Sequence, residues 1–241
     1  MSRKVRISVL ALVAVLVLVS SGCTRSSRSP KVVLSTQELA DGLLVADDLE
    51  GNWKLNSGPE GADLSTTGII DDTNRDKLPQ IQLCDTASQE SRDALNAIQW
   101  QAFRQIDKTV DNAIKPPKDR EGHMIFVQEW LTSGESDELE LVFDDISAAV
   151  KECLGDIPAG EEGPGTITEA EIESIGDQRV AALAQFEEAG GVGTWNIYSV
   201  FIRAGTVLMG VTAVDIVLGD LEPELTVADL DEILSTALAK F

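Results

Sequence analysis

Apolar positions recur along this chain in three rhythms, and each predicts a different kind of element. Residues 7–19 form a continuous apolar run broken only by Ser8. Residues 136–154 repeat at helical spacing, with Leu139, Leu141, Val142, Phe143, Ile146, Ala149, Val150 and Cys153 on one broad face. Their acidic start at Glu135, Asp137 and Glu138 suits the positive end of a helix dipole. Ser35-Thr36-Gln37-Glu38 reads as a capping box for a helix through Leu39, Leu43 and Leu44, expected to end near Glu50-Gly51. Residues 87–96 predict a short helix. Thr226 caps a last one, with Leu230, Ile233, Leu234, Ala237, Leu238 and Phe241 along its stripe.

The third rhythm is that of strands. Residues 98–109 largely alternate, and 123–131, 179–186, 195–203 and 206–214 are rich in β-branched and aromatic residues. Trp53-Lys54-Leu55 predicts a short strand. Gly190-Gly191-Val192-Gly193 and Gly205 read as turns between strands. Residues 56–83 and 155–165 carry Gly, Pro and acids without a lasting period and predict loops. The first is longer than a compact domain ordinarily holds, the mark of a functional or disordered segment. Strands followed by a helix occur twice, around 98–154 and 179–241, although the two stretches share too little identity to be called a repeat. This order predicts an α+β domain: an antiparallel sheet with helices packed mainly on one face.

The first apolar run belongs to no fold. Thirteen residues span roughly 20 Å as a helix, short of the ~30 Å hydrocarbon core, so a permanent membrane span is not expected. Arg3, Lys4 and Arg6 precede the run and Ser20-Ser21-Gly22-Cys23 follows it, as in a secretory leader. The small residues before Cys23 resemble the bacterial lipobox, with Ser20 departing from the expected Leu, Val or Ile. This predicts a signal peptide over 1–22, a lipidated Cys23, a flexible tether over 23–34 and a single domain over 35–241. The location so implied is the cell membrane, lipid-anchored on its extracytoplasmic face. Cys84 and Cys153 then remain as an even pair in an oxidising compartment. A bridge between them would enclose 68 residues and contribute roughly 4 kcal/mol in the chain-entropy model; two buried free thiols are the alternative.

Charge narrows the partners. The formal net charge is −22, and −25 without the three basic leader residues. Binding a phosphate backbone needs the opposite sign, so nucleic acid is not expected, nor is retention on anionic lipid by surface charge. With 43% hydrophobic and 25% charged residues the chain is no disordered acidic tail.

Cys84, the strand Phe126-Val127-Gln128-Glu129, the run Phe143-Asp144-Asp145-Ile146-Ser147-Ala148-Ala149 leading to Cys153, and residues 200–214 before the final helix carry a resemblance. From about Gln37 to Phe241 the chain resembles the PknH-like extracellular sensor domains of actinobacteria. The resemblance implies a strand pair and a cysteine-ended helix, then a closing strand–strand–helix, with an extracellular ligand held in a cleft of the sheet. Kinase members carry two disulfides, where this chain has cysteines for one. No kinase segment occurs in these 241 residues.

Catalytic and metal signatures are sparse. His123 is the single histidine and reads as an exposed strand-end residue. Without a second His or a free thiolate the usual zinc set is incomplete. No Gly-x-Ser-x-Gly occurs, and the glycines at 190–193 lack the Lys-Ser/Thr of a phosphate loop. Asp72, Asn74 and Asp76 have EF-hand spacing, but Lys77 and Leu83 stand at the turn and bidentate positions, against calcium. Asp47-Asp48-Glu50 and Glu135-Asp137-Glu138 read as solvated helix ends. No cofactor and no metal are therefore expected.

Aromatic residues make up 5% of the chain, so their places are informative. Trp100, Trp130 and Trp195 all fall on predicted strands. Trp100 and Phe103, three apart, should face opposite sides of theirs. The side away from the helices and the 56–83 loop would then form a groove with Trp100, Trp130 and Trp195 as wall residues. The function expected is a non-enzymatic extracytoplasmic binding or sensor domain for an unknown small ligand. An envelope interaction module for a basic protein is the first alternative and a carboxylate-based hydrolase the second.

Overall fold

The computed structural model of the chain describes residues 29–56, 68–78, 87–110, 113, 121–160, 163–187 and 193–241. Eight strands form one antiparallel sheet: β1 (Trp53–Leu55), β2 (Ala102–Lys108), β3 (Gly122–Ser133), β4 (Gly155–Gly160), β5 (Gly163–Glu169), β6 (Gln178–Glu187), β7 (Gly193–Ala204) and β8 (Val207–Leu218). Their order is β1-β2-β3-β8-β7-β6-β5-β4. The chain builds β1 to β3, crosses to the far edge, and returns strand by strand until β8 zips onto β3 from Ser133↔Val207 to Gly122↔Leu218. The helices are α1 (Thr36–Gly42), α2 (Gln89–Ala97), α3 (Ser136–Glu152) and α4 (Val227–Leu238).

The α+β class and the antiparallel sheet are as the sequence predicts; the placement of the helices is not. They divide two and two between the faces. One face sends Val127, Leu131, Val200, Ile202, Met209 and Val211 against α1 and α4. The other sends Phe103, Trp130, Val180, Phe201 and Leu208 against Leu95 of α2 and Leu139, Phe143 and Ile146 of α3. Central strands covered on both sides lose their polar alternation. Val200-Phe201-Ile202 and Val207-Leu208-Met209 are consecutively buried for this reason.

Other boundaries differ too. The capping box at Ser35 forms, but α1 stops at Gly42, because Leu43 turns extended (φ −61°, ψ 146°). Tertiary bonds hold that stop: Leu44 N–H donates to Glu129 Oε2 at 2.7 Å, and Arg104 donates to the Leu43 and Leu44 carbonyls. The predicted loop at 155–165 includes β4 and the start of β5, paired through Gly155↔Ile167 and Asp156↔Thr166. The end of the predicted tether is fastened to the domain. Pro30 O accepts Thr206 N–H, Val32 O accepts the Thr206 hydroxyl at 2.7 Å, and Leu34 N–H donates to Ser133 Oγ. At the adjoining turn Gly205 has φ +59°, and a Cβ there would fall 1.9 Å from Pro30 O, so only glycine fits. Residues 57–67, 79–86 and 188–192, most of the predicted long loop and hairpin turn, lie outside the described residues.

Candidate functional site

Residues 68–78, the described part of the long loop, form a built turn beside β2. Phe103 N–H donates to Gly68 O at 2.8 Å and Ile70 N–H to Gln101 O at 2.9 Å. Asn74, 6% exposed, ties the turn together: its side chain donates to Ile69 O and accepts Asp71 N–H, both at 2.9 Å. Asp71 accepts the hydroxyl and the N–H of Thr73, which hold its carboxyl below the usual range. The acids with EF-hand spacing therefore lie in and beside a turn knit by local bonds. Among the described residues no group of three or more His, Cys, Asp or Glu side chains is gathered for a metal ion.

Opposite this turn stands α2. Ser88 caps it, and Glu152 at the end of α3 reaches across to accept Ser88 N–H and the Ser91 hydroxyl, both at 2.9 Å. Those bonds, the one from Ser88 N–H first, lower the Glu152 carboxyl below its ordinary pKa. They also tie α2 to the end of α3, and the aromatic face of the sheet beneath both is the third wall.

Between the three lies a cavity of about 320 Å³, lined by Ile70, Arg75, Leu78, Leu95, Trp100 and Trp130, with Asp76, Asn96, Ile98 and Gln99 completing it. Trp130 is 3% exposed; its ring centroid lies 4.3 Å from Phe103 and 6.2 Å from Trp100, tilted 52° to each. Arg75, half-buried, donates Nη1 to Trp100 O at 3.2 Å. Gly210 makes room: a Cβ there would sit 3.3 Å from the Trp100 ring. The indole Nε1 of Trp130 is buried and meets no protein acceptor.

Two of these walls, Trp100 and Trp130, are residues the sequence predicts for a groove, but the structure places them for a different reason. Trp100 precedes β2 and lies outside any strand, so the alternation argument fails; Trp100 and Phe103 pack in the same cluster on the same side of the sheet. Trp195 is not with them. It stands on β7, six residues (about 20 Å) from Phe201, in a row with Phe186, Ile216 and Met124 across four strands. Nor is the aromatic face left uncovered at Trp100 and Trp130: α2 and α3 lie over it. Arg75 and Leu95 were missed. Arg75 sits in a loop without period, and no pattern announces it.

A wider hollow of about 770 Å³ beside β1 is lined by Ala46, Asp47, Leu49, Gly51, Asn52, Trp53 and Thr109. It is shallow and largely polar, and Trp53 Nε1 is already bonded to Glu50 O at 2.9 Å. The smaller cavity is the better site, since it combines apolar walls with an unpaired polar atom.

His123 corrects an expectation: it is 4% exposed, with Nδ1 3.3 Å from Asp215 Oδ1. Asp215 is fully buried, and its Oδ2 accepts the N–H groups of Glu224 and Leu225 at 2.7 and 3.0 Å. No serine, threonine or cysteine among the described residues hydrogen-bonds to the His123 ring. The pair fastens the segment entering α4. On the same face Arg104 and Glu129 sit opposite each other on β2 and β3. Burial pushes the Glu129 carboxyl up to about 7, opposed by its bond from Leu44 N–H and by the Arg104 charge.

Cys153 caps the C-terminus of α3 and is 8% exposed. Cys23 and Cys84 lie outside the described residues. Among the described residues no helix is long and apolar enough to cross a membrane.

No protein-family model matches the chain, and no curated protein matches it. Solved structures do. The extracellular domain of PknH from Mycobacterium tuberculosis aligns over 87% of this chain and 97% of its own, at 12% identity and a TM-score of 0.49. An uncharacterised protein from Mycobacterium smegmatis aligns over 86% and 96%, at 14% identity and a TM-score of 0.42.

Proposed function

We propose that this chain is a lipid-anchored extracytoplasmic binding or sensor domain whose small ligand enters the Trp100–Trp130 cavity. The observation that carries the reading is Trp130: a buried indole on the cavity wall whose N–H has no protein acceptor. A buried unpaired donor costs about 1–3 kcal/mol, which a ligand acceptor would recover. Thermal melting of the full chain with fractionated envelope lipids, glycan fragments and small metabolites tests it. At least one fraction should raise the melting temperature of the wild type but not of Leu95→Trp, which fills the cavity. If no fraction raises it, the reading fails.

The anchor rests on the basic start, the apolar run at 7–19 and Cys23. Cys23→Ala should release the protein from membranes; a variant still sedimenting with them after a carbonate wash contradicts the anchor. With Cys23 lipidated, Cys84 is the remaining partner for Cys153, and the proposed bridge joins the two. Alkylation of the unreduced protein should find no free thiol on either.

A second reading draws on the Trp195 row. Met124 is 41% exposed, and Trp195, Phe186 and Ile216 are half-buried, an apolar belt on a chain of net charge −22. This suits an interaction surface for a basic envelope protein, and such association would weaken as salt rises. Cross-linking in cells that recovers no reproducible partner counts against it.

A further inference from the structure

We propose that the cavity selects a small apolar acid: an aromatic or short alkyl body carrying one carboxylate, held by Trp130 Nε1 and Arg75. The inference rests on reading the cavity as the ligand site and names what that site accepts. Its walls sort by chemistry. Ile70, Leu78, Leu95 and Ile98 offer only apolar surface, and Trp100 adds an aromatic ring whose one polar group is a further N–H donor. The indole of Trp130 and the guanidinium of Arg75 are donors without acceptor capacity. Arg75 spends Nη1 on Trp100 O and is kept beside the aromatic wall by that bond. The acid on the lining, Asp76, is exposed, whereas Trp130 is 3% exposed and Arg75 half-buried. The less accessible polar positions therefore ask for an acceptor, and a planar carboxylate meets both an indole N–H and a guanidinium.

Two observations bear on size and charge. About 320 Å³ is at the low end for small-molecule pockets, which suits a single ring or a short chain. The net charge of −22 repels an anion at long range, but physiological salt screens that repulsion beyond about 8 Å, while the two donors act at contact. The ring of the ligand would share the cavity with Trp100, whose six-membered edge already reaches the gap left by Gly210.

Benzoate, benzyl alcohol and benzylamine are the probes, and their binding to the full chain is followed by tryptophan fluorescence and calorimetry. Benzoate should bind at least tenfold more tightly than benzyl alcohol, and benzylamine should not bind measurably. Arg75→Gln should remove that tenfold preference, benzoate losing more than benzyl alcohol does; Trp130→Phe should weaken both. Because Trp130 is a core residue, Arg75→Gln decides the matter if Trp130→Phe does not fold. Benzylamine binding as tightly as benzoate, or benzoate affinity unaltered in Arg75→Gln, overturns the proposal. If an envelope fraction stabilises the chain through the cavity while benzoate fails at millimolar concentration, the acid class is wrong and the binding reading survives. If neither acts, both fall.

Discussion

The α1–α4 side of the sheet buries charge, and the α2–α3 side buries rings around a gap. Under α1 and α4 lie Arg104, Glu129, His123 and Asp215, none more than 8% exposed. Each of the two pairs bonds a stretch of backbone: Arg104 and Glu129 hold residues 43–44, and Asp215 holds residues 224–225. Under α2 and α3 lie Trp100, Phe103, Trp130 and Phe201, with Phe143 of α3 packed onto them and a cavity at the end nearest α2. The contrast concerns what each side is built to do. Fixed hydrogen bonds between buried ionisable side chains and backbone tolerate one arrangement only, so they close loops in register. Ring contacts are non-directional by comparison, and a tilted aromatic cluster can leave space without leaving many polar groups unpaired.

The contrast breaks most visibly at Asp215. Asp215→Ala strands the buried N–H of Leu225, the part-buried N–H of Glu224 and the His123 ring together, and removing one member of a buried polar set typically costs about 3–5 kcal/mol. Urea unfolding should show a loss of that order. A loss below about 1 kcal/mol would mean that the segment entering α4 is held by apolar packing alone.

Glu129 sharpens the same side through pH. Its carboxyl is raised from an ordinary 4.5 to about 7 by burial, with the Leu44 N–H, Arg104 and Lys240 opposing and Asp48 adding to the rise. The folded state therefore binds its proton more tightly than the unfolded chain does. This contribution to stability is fully present below about pH 4.5 and is lost as pH rises through 7. The full swing is about 3 kcal/mol at 1.4 kcal/mol per pKa unit. Glu129→Gln should flatten the fall in urea midpoint between pH 5 and 8; an unchanged slope would locate the titration elsewhere.

Much of this architecture was legible in the chain, and the failures have causes. α3 and α4 were readable because their apolar residues recur every three to four positions behind an acidic start or a Thr226–Asp229 capping box. The early stop of α1 was not, since Glu129 and Arg104, which bond the backbone of Leu43 and Leu44, lie some 60–85 residues away. The edge strand β4 was hidden because backbone pairing on an edge needs no side-chain pattern, and the glycines that open β5 carry none. His123 was misplaced for want of Asp215, 92 residues on. The two faces were miscounted although the signal existed: the consecutive apolar residues of β7 and β8 require cover on both sides. For the site, the rarity of tryptophan picked out Trp100 and Trp130, while Arg75 and Leu95 became visible only when the fold placed them together.

Gly210 gives the smallest and sharpest test of the aromatic side. It lies on β8 opposite Trp130 on one neighbour and Phe201 on the other. A Cβ there would meet Trp100 at 3.3 Å and Phe201 at 3.4 Å, contacts that require a neighbour to yield by a few tenths of an ångström. In a close-packed core such overfilling costs roughly 1–3 kcal/mol. Here Trp100 borders a cavity and can move into it. Replacing a strand glycine also recovers about 0.5–1 kcal/mol of chain entropy. Gly210→Ala should therefore unfold within about 0.5 kcal/mol of wild type while binding benzoate several-fold more weakly, because the displaced ring takes up ligand space. A loss above about 2 kcal/mol with benzoate binding unchanged would show the aromatic side to be packed as rigidly as the charged one.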